Sequence, residues 1–166
     1  MLFRSPFSNA NFDSLKAGDF FFHSLAEEDY SPAIKVARSD GAPAVIDLNF
    51  EHQNKRRLPT LVGLDGFTNF VVIAVEKAII RPAPGLANIN YGASSDIDRA
   101  ALVIGPTQTF LKVRGANMGY SAFDVTTGLQ AQAPESSQCL WAAGWQIIIT
   151  ENDKDQVLFE RKASTP

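Results

Sequence analysis

The stretch Pro32-Ala-Ile-Lys-Val-Ala-Arg38-Ser39-Asp40-Gly41-Ala-Pro-Ala44-Val-Ile-Asp-Leu-Asn-Phe50 decides how this chain is read. Before the Asp-Gly pair, Ile34 and Val36 flank Lys35. After it, Ala44, Ile46, Leu48 and Phe50 share one parity, with Asp47 and Asn49 on the other. Successive side chains of a strand point to opposite faces, so a period of two marks a half-buried strand. Asp-Gly between two such runs is a strong hairpin signal, because both residues tolerate positive φ. The stretch therefore predicts a hairpin with one apolar face and one solvated face.

The same texture extends outward. Residues 19–24, 70–80, 101–104, 109–114, 121–126, 145–150 and 156–161 are rich in Val, Ile, Phe and Thr, side chains that suit a pleated surface. Gly18, Gly66, Pro82-Ala83-Pro84-Gly85, Gly105-Pro106, Gly119 and Gly128 bracket them. No long window carries a helical stripe; one short helical turn is expected over residues 11–16, capped by Asn11 or Asp13. The expected fold is mainly β with little helix: a sandwich or barrel of about 8–12 short strands.

Composition bounds the class. The chain has 166 residues, 45% hydrophobic and 20% charged, which suits a single compact β body over 1–166 and excludes a disordered or collagen-like chain. Fifteen Lys plus Arg against eighteen Asp plus Glu leave a net charge of −3, so neither nucleic acid nor a membrane is an expected partner. The one basic cluster, His52-Gln-Asn-Lys55-Arg56-Arg57, has only Phe50 as a nearby aromatic and reads as a solvated loop. Cys139 is the sole cysteine, which excludes an internal disulfide and a multi-cysteine zinc site. Its apolar neighbours predict a buried, inert thiol. The first twelve residues hold no signal-like apolar core, and the apolar runs at 70–75 and 147–149 fall well short of the ~20 residues that span a bilayer. The expectation is a soluble, cytoplasmic protein.

A shift of 77 residues lays Ile34-Lys35-Val36 on Leu111-Lys112-Val113 and Ile46-Asp47-Leu48 on Phe123-Asp124-Val125. A shift of 75 lays residues 72–76 on residues 147–151. Two readings stay open: a duplicated module, with halves 12–82 and 86–162 joined by Pro82-Gly85, or convergent hairpin patterning. If duplicated, the halves should pack on one another, because a unit of this size buries only about 60% of its unfolded surface.

Candidate chemistry is sparse. Lys35 with Asp47, and Lys112 with Asp124, read as cross-strand ion pairs on a solvated face, worth about 0.2–1 kcal/mol each, or as two equivalent recognition spots. A three-residue turn is expected to place each Lys directly across from its Asp, and a two-residue turn to make them diagonal neighbours. His23 and His52 are the only histidines, weak metal candidates whose spacing matches no ligand motif. No nucleophile elbow or phosphate loop occurs, so catalysis and a cofactor are not expected. Val71 to Ile73 and Ile147 to Ile149 are apolar at both parities, which implies cover on both faces from the other half or from another subunit. The expected function is a non-enzymatic structural or interaction protein, a homo-oligomer or part of an assembly. The alternative is a small-ligand-binding β-barrel, its mouth lined by Trp141, Trp145 and Tyr120.

Overall fold

The computed structural model describes residues 6–26, 29–51, 58–64, 67, 70–85, 89–92, 100–115, 119–132 and 139–162. His52 and the rest of the basic cluster lie outside them. The fold is mainly β, built from fifteen described strands in one large and one small sheet. These are β1 (Phe7–Asn11), β2 (Phe20–Ala26), β3 (Asp29–Ala37), β4 (Pro43–Asp47), β5 (Thr60–Val62), β6 (Val71–Val75), β7 (Ile79–Pro82) and β8 (Ile89–Gly92). The chain continues with β9 (Leu102–Ile104), β10 (Thr109–Arg114), β11 (Tyr120–Asp124), β12 (Gln130–Ala131), β13 (Cys139–Ala142), β14 (Trp145–Glu151) and β15 (Lys154–Arg161). The predicted helical turn is a single 3-10 turn, Phe12–Ser14, whose cap Asn11 accepts the N–H of Asp13.

The large sheet runs β1-β6-β2-β3-β4-β5-β10-β9-β13-β8, with β11 on β10 and β12 on β11; the small sheet runs β15-β14-β7. They do not close into a barrel. Their packing is sandwich-like around one central core, because the same parity that made the hairpin legible holds across both sheets. Phe20, Ile34, Val36, Ala44 and Ile46 meet Leu102, Leu111, Val113 and Phe123 from the large sheet, and Trp145, Ile147 and Ile149 from the small one. The opposite faces are also covered, by a cluster around Phe12, Phe21, Val45 and Val72 and another around Val103, Phe110, Ala122 and Cys139. Phe20-Phe21-Phe22 accordingly divides, with Phe20 and Phe22 edge to face at 5.1 Å and Phe21 on the other side.

Three features depart from the sequence reading. The hairpin turn places only Gly41 at positive φ (82°), with Gly41 N–H donating to the Arg38 carbonyl and Asp40 Oδ1 accepting from Ala42 N. Residues 70–80 are not one strand: Lys77, at φ 61°, turns the chain between β6 in the large sheet and β7 in the small one. And β6 is not the pairing counterpart of β14.

The pairing pattern occurs twice. In β3–β4, Ala33 faces Asp47, Ile34 faces Ile46 and Lys35 faces Val45; adding 77 to each number yields the β10–β11 register, Phe110 to Asp124, Leu111 to Phe123 and Lys112 to Ala122. On β3, β2 pairs Phe20 with Ile34, as β9 pairs Leu102 with Leu111 on β10. β6 lies between β1 and β2 as β13 lies between β8 and β9, with Val75 and Ala142 in matching places. β5 on β4 matches β12 on β11, and the parallel contact Thr60–Arg114 matches Leu129–Ala37. Ile80 faces Ile147 where β7 meets β14, so this central pair maps onto itself when the halves are exchanged. In this recurring pattern β6 takes the position that β13 takes, and β7 that of β14.

Candidate functional site

The strongest polar cluster lies on the outer face of the first half. His23 faces Ser31 across β2 and β3, and Asp47 faces Ala33 on the next strand, so parity brings the three to one side. All three are buried. Ser31 Oγ donates to Asp47 Oδ1 at 3.1 Å, Asn49 N donates to the same oxygen at 2.9 Å, and His23 Nε2 lies 3.8 Å from Asp47 Oδ2. The imidazole stands edge to face with Phe67 at 4.8 Å and beside Phe21. Burial pushes the His23 pKa below its ordinary value, against the opposing pull of the Asp47 charge. Burial thus favours the neutral ring, and among the described residues its Nε2 has no hydrogen-bond partner.

This order of groups does not build a nucleophile. In a serine triad the imidazole stands between hydroxyl and carboxylate and takes the hydroxyl proton. Here the carboxylate stands between the other two, and Ser31 spends its proton on Asp47. Among the described residues, no three His, Cys, Asp or Glu side chains gather as a metal site.

The charged pairs of the sequence reading do not form as expected. The Ser39–Gly41 loop sets Lys35 opposite Val45 and diagonal to Asp47. Lys35 Nζ instead donates to the Phe12 carbonyl at 3.0 Å and sits 4.5 Å above the Phe12 ring. Lys112 Nζ lies 5.4 Å over the Tyr120 ring. Asp47 and Asp124 are buried rather than solvated, and each ends its strand by taking turn donors: Asp124 Oδ1 accepts from Thr126 N, Thr127 N and Thr127 Oγ1 at 2.8–3.1 Å. Their matching positions serve the same local task, closing a turn whose N–H groups lack strand partners.

Trp141, Trp145 and Tyr120 do not share a pocket. Trp145 is fully buried in the central core, its Nε1 donating to the Ala100 carbonyl at 2.7 Å and its ring 5.5 Å from Phe159. Trp141 packs in the outer cluster with Cys139, and Tyr120 is exposed at the start of β11. The buried thiol expected at Cys139 is found.

Two surface features were not visible in the sequence. The first is an apolar row: Leu140 on β13 faces Tyr91 on β8 and Ile104 on β9. Tyr91 is 66% and Leu140 43% exposed, and β8 ends the large sheet with its outer edge unpaired among the described residues. The matching row of the first half holds Asn9, Ile73 and Phe22, and two residues further along β6 and β3 come the exposed Val71 and Tyr30. The second is an open groove of about 770 Å³ beside β7, lined by Ala78–Ile80, Gly105–Thr109, Asp124–Thr127 and Gly18. No known protein family matches the chain, and no curated protein or solved structure matches it. No helix among the described residues is long and apolar enough to cross a membrane.

Proposed function

We propose that this chain is a non-enzymatic interaction protein that self-associates through the Tyr91–Leu140–Ile104 row and the adjoining edge of β8. The carrying observation is that row: three adjoining apolar side chains, two of them well exposed, beside a strand whose outer backbone groups face no described neighbour. Single exposed apolar residues are ordinary, whereas a contiguous patch beside an open strand edge marks an association surface. The polar cluster supports the same reading from the other side, since its imidazole does not stand between hydroxyl and carboxylate as a serine triad requires.

The reading includes the body's construction. The two halves, 12–82 and 86–162 with Pro82-Gly85 as the joint, are copies of one module packed as a single unit, and the recurring register supports it down to individual residue pairs. The matching strands extend the module back to Phe7. A cytoplasmic location accompanies this reading, resting on one buried cysteine.

Light scattering after size exclusion tests the function. The expected result is a dimer or larger species at high micromolar concentration, with the double variant Tyr91→Ser, Leu140→Asp shifted to monomer while its circular dichroism is retained. A wild-type chain that stays monomeric throughout overturns the reading.

A further inference from the structure

We infer that the groove beside β7 is an acceptor for an extended strand from a partner polypeptide, a surface separate from the β8 edge. The two halves differ in one respect at this place. β14 is paired on both edges, by β7 and by β15, whereas among the described residues β7 is paired on one edge only. Exchange of the halves carries β14 onto β7, so the seat that β15 occupies on β14 corresponds to the open edge of β7. The molecule itself thus shows what covers such an edge: a strand whose Leu158 and Phe159 pack against the central core.

The groove meets β7 at that edge. Ile79 and Ile80 point to opposite faces of the strand, yet both line the groove, and none of its lining residues belongs to β14 or β15. Ala83 N donates to the Gly144 carbonyl, which directs the backbone groups of Ile79 and Arg81 toward β14 and those of Ile80 outward. A docking strand would exchange hydrogen bonds with Ile80, and pairing would stop at Pro82, which has no N–H to offer. Room exists because Ala78 stands where Trp145 stands in the other half, and a smaller gap under the groove reaches Ile34, Ile46, Ile80 and Phe123 of the core. Val125, Pro106 and Ile80 provide the apolar wall, and Thr107, Gln108, Thr126 and Thr127 the neutral polar one. Among the described lining residues the only charged one, Asp124, already accepts three hydrogen bonds. Charge complementarity therefore selects a strand with uncharged, apolar residues at its inward positions, the strand-addition mode of recognition.

The probe is a labelled octapeptide with the sequence of residues 154–161, Lys-Asp-Gln-Val-Leu-Phe-Glu-Arg, titrated into the full chain and read by anisotropy and by amide exchange. The expected result is saturable binding tighter than about 1 mM, with Ile80 N–H exchange slowed by about tenfold or more. Ala78→Trp, which fills the groove as Trp145 does, and Ile79→Lys on the exposed side of β7 should each weaken binding by about tenfold or more. Ile79, 53% exposed, keeps the test valid should the tryptophan variant not fold. Absence of saturation overturns the inference, as does unchanged affinity in Ile79→Lys. So does protection confined to the β8 edge, or protection of Ile80 that grows with protein concentration alone, since the occupant would then be a second copy.

Discussion

His23 shows how far one side chain can depart from its sequence context. A histidine two residues after a phenylalanine in a strand gains its character from Phe67 and Asp47, which other segments bring to it. Burial lowers its folded pKa below the unfolded 6.5, so the unfolded chain binds more protons as pH falls through that window. The stability that the neutral ring contributes is complete above about pH 6.5 and is lost as pH drops from there toward the folded pKa. Urea midpoints measured between pH 7.5 and 5 should fall in the wild type, and His23→Phe should flatten that dependence; an unchanged slope rejects the assignment. At Asp124 the expectation is different. Removing its carboxylate orphans the turn donors Thr126 N and Thr127 N, so Asp124→Ala should cost about 1–3 kcal/mol in urea denaturation. Sequence spacing displayed both aspartates, but their roles as turn closers depend on where the strands end. Lys35 and Asp47 differ from expectation for the same reason: the three-residue loop Ser39–Gly41, expected to set them face to face, pairs Arg38 with Ala42 and so leaves them diagonal.

At the scale of elements, burial on both faces separates β14 from its neighbours. Ile147, Ile148 and Ile149 are all buried, as their unbroken apolar run implies, whereas Val71 in the similar run of β6 is 70% exposed. The difference arises because β14 has the central core on one side and further packing on the other, while the start of β6 projects past the core. Ile147→Ala should therefore cost about 2–5 kcal/mol, and Val157→Ala on exposed β15 about 0.5 kcal/mol or less, both read from denaturation curves. The split between β6 and β7 rests on Lys77 in a left-handed conformation. Lys77→Gly should raise the melting temperature, with up to about 1 kcal/mol of relief, and Lys77→Ile should lower it, because β-branched side chains suffer most at positive φ. A lowered melting temperature in Lys77→Gly would count against that local strain.

For the whole molecule, neither half owns its core. Residues of both halves meet in the central cluster, β5 runs parallel to β10, and Ala37 bridges Leu129. Gly128 sits where its segment crosses the Ala17–Gly18 backbone: at φ 68°, a Cβ there would fall 2.0 Å from Gly18 N, so no other residue fits. Residues 1–85 and 86–166 expressed separately should each lack dispersed amide resonances and recover them when mixed. A well-dispersed spectrum from either fragment alone would contradict the single shared body.

What the amino-acid order determined by itself was whatever depends on neighbours a few residues apart: the period-two alternation of Ile34, Val36, Ala44 and Ile46, the glycine-bearing turn at Gly41, the Asn11 cap, and hence a sheet protein with a buried Cys139. Only the tertiary structure decided which strands lie side by side. Strand order and register bring residues tens of positions apart within a few ångströms, and no local pattern encodes that distance. That is why the meeting of His23, Ser31 and Asp47, the apolar row from Tyr91 to Ile104, and the edge of β7 that no described strand covers depend on how the sheets are assembled.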